Sequence, residues 1–212
     1  MGAPGQSWAI VIPVKRLDRA KTRLAVAAPL RRRLALAMAL DTLDAARRCE
    51  AVETVIVVTD EPDVASGARD RGALVVADEP DDGLNAALRH GAMSAPGGAG
   101  VAAVAADLPA LRPDELAGLL VAATAHPVSV VADAAGSGTT LYAAASLAQF
   151  DPRFGHESLA AHVAAGAVDL TPAAGASLRT DVDTLDDLRA ADRLGVGPAT
   201  ASAMRELDRH VG

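Results

Sequence analysis

Two aspartates, Asp181 and Asp183, stand two positions apart in the stretch Leu178-Arg179-Thr180-Asp181-Val182-Asp183-Thr184. In an extended segment that spacing puts both side chains on one face. Carboxylates that face the same way repel unless a positive charge lies between them. A hard divalent cation such as Mg²⁺ is the usual partner, with water and phosphate completing its shell. A third acid, Asp107, ends the run Val101-Ala102-Ala103-Val104-Ala105-Ala106 and could complete such a site. Capping offers a plainer account: Asp183 or Thr184 at the start of a helix over Leu185–Leu194, and Asp107 in the turn that leads to Pro109. One cap is enough for one helix, so capping leaves Asp181 unexplained.

Positive charge gathers near the other end. Lys15-Arg16-Leu17-Asp18-Arg19-Ala20-Lys21-Thr22-Arg23-Leu24 holds five cations and one acid, directly after the apolar run Trp8–Val14. A strand that feeds a cationic loop and then a helix is a phosphate-binding layout, because backbone N–H groups and basic side chains meet an anion together. The plain alternative is a solvated charged loop. Ala20-Lys21-Thr22 looks like the tail of a Walker A loop, but the glycines that motif needs are missing. Basic loop and acids together suit nucleotidyl transfer. Lys15, Lys21 and Arg23 would hold a triphosphate and draw charge from leaving pyrophosphate, while a metal on Asp107, Asp181 and Asp183 would bridge the α-phosphate and the nucleophile. A phosphate acceptor is already anionic and needs no general base, and no obvious base accompanies Asp107.

These residues need a scaffold. Val101–Ala106 shows no polar alternation and reads as a strand buried on both faces. Asp107 then lies at the carboxyl end of a central strand, where open α/β sheets bind ligands. Further strands are expected at Trp8–Val14, Thr54–Thr59, Ala73–Ala77, Val128–Ala132 and Val168–Leu170, with another entered through Gly136–Tyr142. Helices are expected at Pro29–Arg48, Val64–Arg71, Leu84–Met93, Pro113–Ala125, Leu159–Ala165 and Leu185–Leu194. The Arg31-Arg32-Arg33 run reads as wet surface. Pro198–Val211 reads as a polar helix or a partly disordered tail. The strand–helix alternation predicts an α/β fold: a Rossmann-like mixed, mostly parallel sheet with helices on both faces.

Composition narrows the field. Half of the 212 residues are hydrophobic but only 2 % are aromatic, so the core must be built from small aliphatic side chains. A net charge of −7 argues against a general nucleic-acid binder. Cys49 is the single cysteine, which excludes an intrachain disulfide. There is no long apolar run or signal peptide, so no membrane partner is expected and a soluble cytoplasmic protein is. No G-x-G-x-x-G follows the first strand, which argues against a dinucleotide-dependent dehydrogenase. A non-catalytic nucleotide-binding domain remains as an alternative.

Several stretches, taken in order, carry a family resemblance: Ile12-Pro13-Val14-Lys15 with Ala20-Lys21-Thr22-Arg23-Leu24, Gly83-Leu84-Asn85, Ala106-Asp107-Leu108-Pro109, Gly138-Thr139-Thr140, Phe154-Gly155-x-x-Ser158 with His162, and Leu178-Arg179-x-Asp181-Val182-Asp183-Thr184 leading to Asp187-Leu188. The chain resembles the guanylyltransferases of coenzyme F420 biosynthesis, which are related to the molybdenum-cofactor guanylyltransferases. The resemblance implies a nucleotide-diphospho-sugar transferase-like fold and transfer of GMP from GTP to a small phosphorylated three-carbon acid. The acceptor is phosphoenolpyruvate in actinobacterial members and 2-phospho-L-lactate in archaeal ones. The Ala/Arg-rich composition and the Gly-Ser-Gly-Thr-Thr form favour phosphoenolpyruvate, giving enolpyruvoyl-2-diphospho-5′-guanosine and pyrophosphate. Thr140 departs from the archaeal-like Gly-Gly-Thr-Asn pattern, so acceptor identity turns on that segment.

By position in the motifs, Thr140, Gly155 and Ser158 would bind the acceptor. Gly83 and Asn85 would sit near guanine or ribose, with a turn and helix start as the plain alternative. His162 would help bind an anion or simply pack. The resemblance implies one domain, 1–212, with a GTP-binding half (8–110), an acceptor and metal half (111–194) and a tail (195–212). It also implies Mg²⁺ as cofactor and a downstream F420-pathway transferase as the recipient of the product. A homodimer is a candidate assembly.

Overall fold

Continuous apolar strands bury themselves only when helices cover both faces of their sheet. The computed structural model, which describes residues 6–18, 21–80 and 82–211, has that arrangement. Arg19 and Ala20 of the cationic loop and Asp81 of the following acidic turn lie outside the described residues. Among the described residues seven strands run β1 (Trp8–Pro13), β2 (Val52–Val58), β3 (Leu74–Val76), β4 (Gly100–Val104), β5 (Val128–Ala132), β6 (Thr139–Ala144) and β7 (Val168–Asp169). The α-helices that join or follow them are α1 (Ala28–Arg48), α2 (Pro62–Asp70), α3 (Leu84–Ala92), α4 (Pro113–Ala123), α5 (Ser158–Ala164), α6 (Leu185–Leu194) and α7 (Pro198–Val211).

The sheet order is β3-β2-β1-β4-β6-β5-β7. β1 lies parallel to both β2 and β4, β2 to β3, and β5 to β7. β6 runs against its neighbours, antiparallel to β4 and β5. The mixed, mostly parallel sheet expected from the alternation is what the chain forms.

Side chains alternate across each strand and so feed two cores. Trp8, Ile10 and Ile12 pack with Ala102 and Val104 beneath α1, α2 and α4. Ala9 and Val11 pack with Val101 and Ala103 against Ala87, Leu88 and Ala92 of α3 on the other face. A third cluster joins Leu34 and Met38 of α1 to Leu188 and Ala191 of α6 and Ala203 of α7. The segment expected as a helix or disordered tail is helical, and buried Asp41 of α1 fixes its start by accepting N–H bonds from Ala199 (3.1 Å) and Thr200 (2.7 Å).

Two boundaries differ from expectation for identifiable reasons. β4 stops at Val104, not Ala106: Ala105 N–H still bonds Thr140 O, but the Thr42 hydroxyl then holds the Ala106 carbonyl (3.3 Å) and the Leu108 amide (3.1 Å) in a turn. Asp107 therefore lies in a braced turn just beyond the strand. α2 begins at Pro62, because a proline suits the first helical turn.

With so few aromatics, the layers come close. A Cβ on Gly91 of α3 would lie 2.4 Å from Val58 Cγ2 and 2.9 Å from Val11 Cγ1. Gly91→Ala should therefore lower stability by about 1–3 kcal/mol despite alanine's better helix propensity. Urea denaturation would measure this, and a stabilised variant would show that α3 can lift without cost. Partial recovery is expected when Val58→Ala is added.

Candidate active site

The carboxyl ends of β1 and β4 open onto a cleft of about 420 Å³, bounded by Lys15, Leu17 and Lys21, the β6 start and the 154–158 segment. That volume lies within the range of small-molecule sites. Lys15, Lys21, Asp107, Asp181 and Asp183 line it on one side, and Thr139, Thr140, Gly155 and Ser158 on the other. Arg23, Gly83 and Asn85 are not among its lining residues.

The acidic stretch takes the alternating geometry its spacing suggested. Val182 points into the core and is fully buried, while Asp181 and Asp183 on either side of it line the cleft. Val182 N–H bonds the Asp107 carbonyl at 3.1 Å, so the two acid-bearing segments are tied backbone to backbone. The capping question is resolved by Thr184. It is the N-cap of α6 and forms a capping box with Asp187. Asp183 is left free to turn toward the basic loop. Asp107 likewise directs its carboxylate to Lys21 instead of capping its own turn.

Lys21 joins the two sides. Its ammonium bonds Asp107 and lies 2.7 Å from Asp183 Oδ1, and Arg23 pairs with the other Asp183 oxygen. Burial opposes the charge on Lys21, but the two carboxylates outweigh it and raise its pKa. These contacts also hold Lys21 at φ 54°, a left-handed conformation that costs a non-glycine residue about 1–2 kcal/mol. Lys15 and Lys21 are the only lysines in the chain.

Asp107, Asp181 and Asp183 do not form a ready-made ligand cluster. Among the described residues no three His, Cys, Asp or Glu side chains are gathered closely enough to hold a metal ion by themselves. Asp107 and Asp183 are bridged instead by the Lys21 ammonium. The donor chemistry still fits a hard cation. Asp181 is pushed up to about 7, first by burial and then by the charges of Asp107, Asp133 and Asp183. Such an excess of negative potential favours a bound cation with further oxygen ligands from water or phosphate.

Asp133 is a functional candidate that the sequence reading missed. It follows the buried strand β5 and lines the cleft. Its carboxylate accepts N–H bonds from Ser137 and Gly138, each 3.0 Å, and a Cβ at Gly138 would come within 2.3 Å of it. The signal was present, since an acid directly after an apolar strand is the same pattern that singled out Asp107. Glu61 was also missed. Buried after β2, it accepts Leu17 N–H (3.2 Å) and both terminal nitrogens of Arg32 (3.0 and 2.8 Å). It thereby anchors the loop that carries Lys15. The Arg32 hydrogen bonds hold its carboxyl below the usual range. Arg32 is thus a tether for this loop, where the sequence reading took Arg31–Arg33 for wet surface.

Asn85, expected near guanine or ribose, makes a tertiary contact. Its side chain clamps the backbone of Phe154, donating from Nδ2 to Phe154 O (2.9 Å) and accepting Phe154 N–H at Oδ1 (2.8 Å). Held at both polar ends, Asn85 positions the neighbouring Gly155. Gly83, at φ 85°, makes the turn before α3. On the opposite wall, Thr140 is buried and its hydroxyl donates to Leu178 O at 2.6 Å. Gly155 adopts φ 151°, and its N–H has no hydrogen-bond partner among the described residues. Ser158 begins α5, and His162 one turn later is fully buried. Burial, reinforced by the charge of Arg153, pushes His162 down to about 4, so its ring is neutral near pH 7.

The family pattern described as "Guanylyl transferase CofC like" matches residues 8–192. The chain belongs to that family. A phosphoenolpyruvate guanylyltransferase of Thermomonospora curvata is 56 % identical over 200 residues, covering 92 % of this chain and 88 % of its own. Among solved structures, a nucleotidyl transferase from Methanothermobacter shares the fold at 21 % identity and a TM-score of 0.60, with 90 % of this chain and 98 % of that one covered. A Mycobacterium tuberculosis protein solved in complex with manganese aligns at 22 % identity and a TM-score of 0.57, over 89 % and 98 % of the two chains. The CofC-like match takes in all of the cleft-lining residues and ends before α7 begins.

Burial of Asp181 among other acids has a measurable cost in this guanylyl transferase fold. A carboxyl raised from 3.8 to about 7 in the folded state destabilises that state progressively as pH climbs through this interval. In chelator-treated protein, Asp181→Asn should therefore raise the melting temperature above pH 7, and the gain should vanish near pH 4. Thermal melts across this pH range test it; a lower melting temperature than wild type at high pH would contradict the charge repulsion inferred for the cleft.

Proposed function

We propose that this chain transfers GMP from GTP to phosphoenolpyruvate, releasing pyrophosphate and forming enolpyruvoyl-2-diphospho-5′-guanosine for coenzyme F420 biosynthesis. The observation that carries the reading is one cleft with a lysine–aspartate cluster on one wall and hydroxyls and a free amide on the other, in a chain 56 % identical to a phosphoenolpyruvate guanylyltransferase. The chain acts as one nucleotidyltransferase domain, with the GTP half (8–110) and the acceptor and metal half (111–194) meeting at the cleft.

Lys15, Lys21 and Arg23 take the triphosphate. Lys21 is buried enough that its charge is poorly screened, so it stabilises the anion that develops on the leaving pyrophosphate. Asp107, Asp181 and Asp183 would hold Mg²⁺, with Asp133 close enough to add to the field. When bound, the ion neutralises phosphate charge and polarises the α-phosphoryl group. Thr140, Gly155 and Ser158 take the acceptor. Gly155 offers a backbone N–H, Ser158 a hydroxyl, and Thr140 contributes when its hydroxyl turns away from Leu178 O.

In the reaction an acceptor phosphate oxygen attacks the α-phosphorus, and the bond to the β-phosphate oxygen breaks. No proton need be removed from a phosphate monoester dianion. That agrees with a cleft in which no histidine is among the lining residues described. The labile product then passes to a downstream transferase of the pathway.

The test is pyrophosphate release from GTP and Mg²⁺ with a panel of phosphorylated acids and the product identified by mass. Phosphoenolpyruvate should be the preferred acceptor. Preference for 2-phospho-L-lactate would change the acceptor, and no release with any acid would leave only a nucleotide-binding domain. Asp107→Asn should lower kcat by about 10²-fold or more while the protein stays folded; activity within a few fold of wild type would remove Asp107 from the reaction.

A further inference from the structure

The wall opposite the carboxylates contains a hydrogen-bond chain whose direction can be deduced. Arg153 N–H meets His162 Nε2 at 2.8 Å. His162 Nδ1 lies 3.1 Å from Thr139 Oγ1. Thr139 Oγ1 lies 3.0 Å from Ser158 Oγ. Thr139, Ser158 and His162 are all buried, and the two hydroxyl residues line the cleft. The His162 ring is wedged between Tyr142 and Phe154, with centroids 4.8 and 5.3 Å away, so it has little freedom to turn.

A backbone N–H can only donate, so Nε2 must present its lone pair to Arg153. A neutral ring then carries its proton on Nδ1 and donates it to Thr139 Oγ1. Thr139 and Ser158 together own two hydroxyl protons, and the single contact between them uses one. Among the described residues the other has no protein acceptor. With the opposite tautomer, Thr139 would donate to Nδ1 and Ser158 to Thr139, and both protons would be taken. The cleft would then face oxygen lone pairs, which repel an anion. The tautomer of His162 thus decides whether this wall donates a hydrogen bond or withholds one.

We propose that His162 is a positioning residue for the acceptor: its proton, kept on Nδ1 by the Arg153 amide, leaves one O–H of the Thr139–Ser158 pair to bind an anionic oxygen of the phosphorylated acid. This rests on the acceptor reading of Ser158 given above and adds Thr139 as a working member of that wall.

Two experiments separate the parts. Nitrogen-15 NMR of histidine-labelled protein near neutral pH, with His162→Phe identifying the signals, should give a protonated Nδ1 and an unprotonated Nε2. The opposite tautomer or a charged ring overturns the proposal whether or not the protein is a transferase. In steady-state assays, the double variant Thr139→Val/Ser158→Ala, which has neither hydroxyl proton, should raise KM for phosphoenolpyruvate about tenfold or more and leave KM for GTP nearly unchanged, the size expected for losing a hydrogen bond to a charged group. His162→Phe leaves a hydroxyl proton on the pair with nothing to direct it, so it should raise the same KM by a smaller factor and add nothing further in the double-variant background. His162→Asn, whose amide can donate from the Nδ1 position, should keep most of the acceptor affinity. Equal effects on both substrates, or an effect of His162→Phe that adds to that of the double variant, overturn the proposal. Should His162→Phe fail to fold, the double variant and the NMR spectrum of the wild type, assigned with His162→Asn, still decide it. Absence of turnover by wild type with every acceptor would instead remove the transferase reading and leave the tautomer result standing.

Discussion

Like charges crowded into one cleft are the constraint from which the rest of this structure follows. Asp107, Asp133, Asp181 and Asp183 all face the same space, and the raised pKa of Asp181 records first its burial and then their mutual repulsion. Left alone, that repulsion would force the strand ends apart. It is offset from within by Lys21, which bonds two of the four acids, and by Arg23, which takes the free side of Asp183. The excess that remains is what a phosphate-bound cation would neutralise. A site built in this way is stabilised by the ligands it is made to receive.

Holding the acids and the lysine within reach of one another falls to groups that never enter the cleft. Val182 anchors one carboxylate segment in the core and ties it to the other through the Asp107 carbonyl. Thr184 and Asp187 satisfy the start of α6, so Asp183 is not drawn into capping. Glu61, fastened by Arg32, fixes the Leu17 amide and with it the cationic loop. On the far wall, Asn85 grips Phe154 and so sets the position of Gly155. Each tether replaces a flexible loop with one determined by hydrogen bonds, which is how a polar site keeps its geometry without rigid secondary structure under it.

The two walls differ in kind. The wall of carboxylates and lysines is charged and responds to cations and phosphates. The wall of Thr139, Thr140, Gly155 and Ser158 is nearly neutral, and its selectivity depends on where protons sit. There a buried neutral imidazole has an advantage over a charged group, because it can fix hydroxyl directions without adding to the charge of an already anionic ligand pair. The antiparallel strand β6 brings Thr139 and Thr140 to the cleft from the opposite direction to β1 and β4. Reversal of one strand thus lets the cleft be closed by a second, chemically distinct side.

Much of this was legible in the residues. Unbroken apolar strands alternating with helices dictate a covered parallel sheet, since no other arrangement buries them. The Asp-x-Asp spacing and the cationic loop announced their chemistry because charge clustered without compensation is rare unless something binds it. What the sequence could not decide was pairing across distance. Whether Asp183 caps a helix or faces Lys21, 162 residues away, depends on Thr184 taking the cap first. That the Arg31–Arg33 run includes a tether, that Asn85 clamps the Phe154 backbone, and that Asp133 joins the acids all follow from which segments the sheet order brings together. Side-chain hydrogen bonds are short and directional, so they are set by tertiary neighbours that local pattern does not encode. The same holds for His162: its neighbours in the chain say only that it packs, while the Arg153 amide and the Thr139 hydroxyl, met in the folded state, decide where its proton lies.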